Sequence, residues 1–388
     1  MNHDQLAYVL INPYTIYKSR TGGVIARLFT RTALDLVAAR MFAPSRELTT
    51  EYANTIISGE NASDRRIQEL TRQYILDNYS PDSKTGQPRR VMMLVFRGED
   101  AVKKIRATVG QIEPGRGPVG ETIRDTYGDY IVGPDGQIRY FEPAVLAAQT
   151  PEEVEEKIKI WATHAGDDTG YLDNVVQYPS RANVQQTLVL LKPDNFRFPS
   201  ARPGNIVDLI SRTGLYIIAI KVHHMTVAEA TEFYGPVQKI LPDILSKISG
   251  PRAKTVLEKE FGFALPEGSE KTLGQFLAPV HSEYQFDLIV RFMTGHGATE
   301  PANAASEKIL ALVYEGPDAV NKIRTVLGAT DPRKAAPGTI RRELGQDILV
   351  NAAHASDSLE NAKREMAIIK IRENNLKSLV EQFYHCQL

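Results

Sequence analysis

The sequence predicts an α+β protein built from two copies of one ferredoxin-like unit, a βαββαβ plan with extra material inserted between its second and third strands. Two observations carry that prediction. First, three segments recur in the same order: RTALDLVAARM (31–41) returns as RTGLYIIAIKV (212–222), DAVKKIRATVG (100–110) as DAVNKIRTVLG (318–328), and ETIRD (121–125) as GTIRR (338–342). Second, each half opens on a short apolar run, LAYVLIN (6–12) or QTLVLLK (186–192). Ordered self-similarity of this kind marks a duplicated structural unit.

The elements follow in order within each half. The opening run, short and apolar, reads as a strand. The first repeated segment is a helix end turning into a second strand. The second repeat follows an apolar run, Val91 to Phe96 or Ile309 to Tyr314, and carries helical spacing of its apolar residues, so it is a third strand followed by an amphipathic helix. A loop, a short fourth strand or turn and a last helix close each half. In the first half that helix is well specified: Thr150 as N-cap, Pro151 at the first position and Glu153 completing a capping box. In the second, Ser358 is the N-cap and Glu360 lies in the first turn, where the helix dipole favours an anion. Such alternation suits an antiparallel sheet covered by helices on one side. The expected organisation is a first domain over 1–163, a polar linker over 164–185 and a second domain over 186–388. An insertion at about 243–305, with several turn signals around GFALPEGSEKTLGQF, is expected to lie outside the second sheet.

Bulk properties narrow the function classes. At 388 residues the chain exceeds what one core usually organises, and 42% hydrophobic with 24% charged residues is ordinary for a folded globular protein. A formal net charge of -1 supplies no basic excess to attract nucleic acid or an anionic membrane, so neither is expected as a partner. The single cysteine, Cys386, has no partner for an intramolecular disulfide, and no Cys/His cluster suggests structural zinc. The opening residues show no leader pattern, and no apolar run approaches the roughly 20 residues that span a bilayer. A cytoplasmic protein is expected.

Chemistry concentrates in NAAHASDSLENAKREMAIIKI, from Asn351 to Ile371. Glu365 falls seven residues, two helical turns, beyond the Ser358 cap and so returns to the same helix face. His354, in the loop just before, is thereby able to face Glu365, with the Ser356 hydroxyl alongside. A histidine oriented by a carboxylate is a fitting phosphate acceptor; an isolated histidine in a capped loop is the plainer alternative. Other histidines invite structural readings: His223 and His224 as a strand edge, His296 as a turn residue, and His385 beside Cys386 with no role. Trp161 is expected in the core.

The pattern N-x-x-H-A-S-D-S followed by a helical glutamate resembles the active-site signature of nucleoside diphosphate kinases, and further family positions match in order across 186–371. The resemblance implies that His354 carries phosphate, that Lys192 in LLKPD contacts nucleotide phosphate and that Tyr234 stands close to the active histidine. It also implies that Arg324, Thr330 in NKIRTVLGATDP and Arg341 in PGTIR bind phosphate, and that Asn351 contacts the sugar. It implies a ping-pong transfer from ATP to nucleoside diphosphates through phosphohistidine. Mg²⁺ would be held through the nucleotide phosphates, and a symmetric homo-oligomer is implied, here a trimer of fused pairs. Two arginines, a lysine and a metal are what neutralising a transferring phosphoryl group requires. There are departures: Ile240 stands where a phenylalanine clamp for the base is usual, and FRFPSARPG (196–204) differs from the family's shorter loop.

In the first half the same comparison finds Asn12 for the lysine, Ile112 for the threonine, Leu146 near the histidine and Pro143 for the asparagine, with only Arg106 and Arg124 kept. A degenerate pseudo-domain is the expectation there. Three functional readings fit: an active nucleoside diphosphate kinase, a tandem kinase-like scaffold with little activity, or a phosphohistidine kinase with an unusual acceptor.

Overall fold

The first sheet assembles around β1 (Asp4–Ile11), whose side chains are buried from Leu6 onward. It runs antiparallel to β3 (Val91–Glu99) in the register Asp4↔Glu99 to Ile11↔Met92, and β3 pairs in turn with β2 (Asp35–Phe42). These relations come from a computed structural model that describes residues 4–56, 62–111, 120–166 and 169–388. The hairpin strands β4 (Asp129–Val132) and β5 (Ile138–Glu142) pair only with each other, whereas β6 (Val145–Leu146) adds to the free side of β1. The sheet order is therefore β2-β3-β1-β6. The second sheet, β10-β7-β9-β8, repeats it from the opposite edge with β7 (Val184–Leu191), β8 (Tyr216–His223), β9 (Ile309–Pro317) and β10 (Ala353–Ala355). Each is the antiparallel order of a ferredoxin-like βαββαβ unit, as the duplicated segments predicted. The register repeats as well: Leu10↔Leu146 has its counterpart in Leu190↔His354.

The helices of the first half are α1 (Pro13–Tyr17), α2 (Thr21–Thr32), α3 (Arg46–Asn54), α4 (Ala62–Asn78), α5 (Ala101–Val109), α6 (Ile123–Tyr127) and α7 (Pro151–Thr163). Those of the second are α8 (Arg202–Ser211), α9 (Val227–Phe233), α10 (Gly235–Phe261), α11 (Ser269–Thr294), α12 (Ala319–Leu327), α13 (Ile340–Leu344), α14 (Leu359–Ile368) and α15 (Leu376–Tyr384). The repeated D-A-V…G segment has a backbone reason. Asp100 and Asp318 enter α5 and α12 at φ 53° and 55°, and Gly110 and Gly328 leave them at φ 83° and 82°. Left-handed geometry selects Asp at one end and Gly at the other.

The chain divides into a compact unit of Met1–Val222 with Leu310–Leu388, and a second of His223–Ile309. Both sheets thus share one unit, and the division falls at the insertion rather than at 164–185. Within the first unit the two halves meet where α2 crosses α8: a Cβ on Gly204 would collide with the Gly22 carbonyl oxygen and the Ala26 amide nitrogen. The segment expected to be a polar linker is packed instead. Tyr171, Leu172, Val175 and Val176 are buried, and the Leu172 amide donates to the Ile218 carbonyl at 2.9 Å. Helix α15 covers the first half, with Arg97 over the Phe383 ring at 5.5 Å and the Asn374 amide on the Ala39 carbonyl. Trp161 is fully buried in α7 against Phe42, Tyr52 and Tyr79, at centroid distances of 4.8, 5.3 and 6.3 Å.

The second unit holds the insertion, resolved as the long antiparallel helices α10 and α11 despite internal Pro242, Pro251 and Pro279. The turn signals expected around 262–276 account only for the short connection before Ser269, and the rest is helix. Gly250 and Gly274 bring the two backbones together, and Ser249 bonds His281 Nδ1 at 2.6 Å. His223 pairs with Glu229 and His296 with Glu300, consistent with structural duty for both.

Candidate active site

His354 occupies the middle of β10, opposite Leu190 of β7, so a short strand and not a free loop presents it. Helix α14 begins five residues later, behind its N-cap Ser358, whose hydroxyl accepts from the Asn361 amide, and this cap sets the rotation that returns Glu365 to His354. The Glu365 carboxylate is 2.9 Å from His354 Nε2 and accepts the Ser356 hydroxyl proton on the same oxygen at 2.6 Å. Arg364 lies 3.6 Å from its other oxygen. Glu365 and Ser356 are buried while the imidazole is half-buried, so the carboxylate is fixed and the ring remains reachable. With Nε2 directed at a carboxylate, the neutral ring carries its proton there and its lone pair on Nδ1.

The cations gather around the same strand. Arg341, from α13, reaches the Ala353 carbonyl (3.2 Å), the Gly328 carbonyl (3.1 Å) and the Thr330 hydroxyl (3.5 Å). Arg324, from α12, donates to the Asp357 carbonyl at 3.1 Å. Lys192 follows β7 and is buried, its ammonium on Asn351 Oδ1 at 2.7 Å and the Leu349 carbonyl at 3.1 Å. The Asn351 amide nitrogen donates to the carbonyls of Thr330 and Ile348, so both ends of this side chain are engaged within the protein. Burial pushes the Lys192 pKa down to about 7, and the Arg341 charge pushes the same way, against Asp194 and Asp347. Among the sequence-predicted residues, His354, Glu365, Ser356, Lys192, Arg324, Thr330, Arg341 and Asn351 thus share one hydrogen-bonded neighbourhood. Tyr234 belongs to the second unit, where it is buried against Phe233.

A lysine of this kind regains its proton when an anion arrives. At pH 8, binding of a nucleoside triphosphate is therefore expected to take up close to one proton, seen as a dependence of calorimetric heat on buffer ionisation. Apparent affinity should weaken by up to about tenfold per pH unit above the free-protein pKa. Lys192→Met should remove the uptake.

Sequence reasoning missed the residues that hold this geometry. Asn195 donates to the Lys192 and Ala352 carbonyls at 3.0 and 2.6 Å and fixes the turn in which Ala352 adopts φ 68°. Arg202 ties Asp194 (2.7 Å) to the Leu344 carbonyl (2.9 Å). The duplication held a signal for the first of these: Thr15, three residues after Asn12 as Asn195 is three after Lys192, donates to the carbonyl of Ala144, also left-handed at φ 61°.

The equivalent place in the first half is differently equipped. Register puts Leu146 where His354 stands, and Ala144 answers to Ala352, which places Pro143 at the asparagine. Counting from each N-cap, Lys157 replaces Glu365 and is tied to Glu153 at 2.6 Å. Asn12 donates to a buried Glu142, which also accepts from Tyr74 at 2.6 Å, while Tyr79 donates to Asn12. Burial raises the Glu142 pKa against these hydrogen bonds. Arg124 is spent on the Gly110 and Val145 carbonyls. Ile112 lies outside the described residues.

Known proteins resemble part of this chain. A family model described as nucleoside diphosphate kinase matches residues 267–374. The nucleoside diphosphate kinase of Campylobacter hominis is 32% identical over 184 residues, covering 47% of this chain and 93% of that protein. That of Chlamydia abortus is 31% identical over 183 residues, covering 47% and 90%. Among solved structures, the nucleoside diphosphate kinase of Aquifex aeolicus aligns over 48% of this chain and 94% of its own at 28% identity, with a TM-score of 0.30.

Proposed function

Since the chain belongs to the nucleoside diphosphate kinase family, we propose that its second half transfers the γ-phosphate of ATP to nucleoside diphosphates through a phosphohistidine at His354. One observation carries the reading: the imidazole is held by a buried carboxylate at 2.9 Å, beside Lys192, Arg324 and Arg341.

The transfer follows from these positions. Glu365 keeps the proton on Nε2, so the Nδ1 lone pair attacks the γ-phosphorus in line; the N–P bond forms, the bond to the bridging β,γ-oxygen breaks, and ADP leaves with that electron pair. Positive charge gained by the ring is offset by Glu365, whose geometry Ser356 fixes. In the second half-reaction a terminal oxygen of an acceptor diphosphate attacks the same phosphorus and restores the neutral ring. Lys192, Arg324, Arg341 and the Thr330 hydroxyl bind the phosphate oxygens. Asn351, engaged at both ends, acts as a positioning residue for Lys192. Tyr234 enters on its place in the sequence. No group of three or more His, Cys, Asp or Glu side chains among the described residues is arranged to hold a metal ion, so Mg²⁺ would be carried by the nucleotide phosphates and supply further charge neutralisation there.

The first half, on this proposal, is a non-catalytic partner over about 1–163, with 186–388 supplying the chemistry. Its support is the set Leu146, Lys157, Pro143 and Asn12 at the reactive positions. Initial rates with ATP and GDP varied together should give parallel double-reciprocal lines; intersecting lines would mean direct transfer in a ternary complex and would exclude the phosphohistidine route.

A further inference from the structure

Along one face of the α10–α11 hairpin, wholly within the second unit, an apolar groove of about 680 Å³ runs between the two helices. Ala253, Val256 and Leu257 line it from α10, and Phe276, Leu277 and Val280 from α11. Its flanks stand in water: Val256 is 64% exposed and Phe276 79%. Apolar surface gathered in one place on this scale marks an interface and not an ordinary surface.

Helical spacing makes the face continuous. Ile244, Ile248, Arg252, Val256 and Glu260 follow one another down α10 at four-residue intervals, and every one is exposed. Phe276, Val280 and Tyr284 form a matching exposed row on α11. Phe261 extends the groove-lining row of Ala253 and Leu257, and Phe263 leans on its ring at a centroid distance of 6.0 Å. At about 200 Å² for a whole aromatic side chain, the exposed parts of Phe261, Phe263, Phe276 and Tyr284 come to about 500 Å². Ile244, Ile248, Val256 and Val280 add to that. A stable dimer buries about 800 Å² from each partner, so the face has the size that a second copy would cover.

Charge selects that occupant. Gly235 to Thr294 holds seven Lys and Arg against seven Asp and Glu, so the hairpin has no basic excess with which to lie on an anionic membrane. The row on α10 is instead complementary to itself. Arg252 and Glu260 stand four residues to either side of Val256. Neither has an ion-pair partner among the described residues, whereas the nearby Lys254 is matched by Glu270 at 3.1 Å. A two-fold axis through Val256 lays the row on a reversed copy of itself and brings each Arg252 beside Glu260 of the partner subunit.

We propose that this face is a homodimer interface, in which α10 and α11 of two chains stack antiparallel as a four-helix arrangement with Val256 at the two-fold axis. The interface is independent of the chemistry at His354.

The test measures the mass of the full chain in solution by light scattering at micromolar concentration. Wild type is expected as an even number of chains. Val256→Asp sets two carboxylates at the axis and should halve that mass with the thermal melt unchanged. Arg252→Glu and Glu260→Arg should each weaken association by about tenfold or more, since each brings like charges together, and the two combined should restore it. An odd number of chains in the wild type, a mass that Val256→Asp leaves unchanged, or no rescue in the combined variant would overturn the proposal. A monomeric wild type that co-sediments with phosphatidylserine vesicles would overturn it too, and would assign the face to a membrane. If Val256→Asp fails to fold, Val256→Cys in a Cys386→Ser chain decides the matter: oxidation should link two copies through this position, and a product that stays monomeric on a denaturing gel contradicts the axis.

Discussion

Replacing His354 by alanine is expected to reduce kcat/KM for ATP and any diphosphate by about four orders of magnitude or more, the scale on which removal of a covalent nucleophile acts. The fold should be unaffected. His354 is half-buried, and its backbone hydrogen bonds in β10 do not depend on the ring. Coupled steady-state assays with a thermal melt check both statements. Activity within tenfold of wild type would mean that phosphate does not pass through this side chain. Glu365→Gln should fall between the two, because the amide still holds Nε2 but no longer offsets the charge that the ring gains.

Trp161→Ala is the change with the largest expected effect on stability. The indole is fully buried and meets Phe42, Tyr52 and Tyr79 edge-on, so its removal leaves a cavity where three rings converged. A loss of about 3–5 kcal/mol follows from such large-to-small replacements. The matching drop in Tm is about 4–6 °C for a chain of this length. Because Trp161 lies in the half that does not contain His354, KM for ATP measured well below the transition should stay unchanged. A loss under about 1 kcal/mol would contradict the core placement.

Much of this was legible in the residues, for reasons that differ by element. The strand order could be anticipated because the repeated segments carry backbone requirements, left-handed Asp100 and Asp318 before a helix and positive-φ Gly110 and Gly328 after it, and such requirements persist after side chains have diverged. The pairing of His354 with Glu365 was legible because a capped helix fixes rotation, which turns a spacing of seven residues into a face. The packed course of 164–185 was not. Its polar residues outnumber the apolar ones, and the buried places of Tyr171, against Gln186 and Met366, and of Leu172, against Ile218, depend on distant contacts that no local pattern encodes. The β4–β5 hairpin escaped too: its G-P-D-G turn is a turn signal, but the flanking residues are largely exposed and show no clean alternation. The insertion read as turns because of its prolines and glycines. In the structure Gly250 and Gly274 serve close packing of α10 on α11, a use that spacing alone does not reveal.

The network in the first half shows the limit most clearly. That Leu146 stands for His354 could be read by alignment; that Glu142, Tyr74, Tyr79 and Asn12 close around one another there could not, since they come from three separated segments. The same network explains how this half keeps its fold with Asn12, Pro143 and Leu146 at those positions. Its polar groups satisfy each other.

The central claim is tested most directly by incubating the full chain with γ-labelled ATP and Mg²⁺, isolating the protein and counting label. The account predicts one acid-labile phosphate per chain, on His354, discharged by GDP, CDP, UDP or dTDP and absent from His354→Ala. Label that survives in that variant, or no label under any condition, would contradict it.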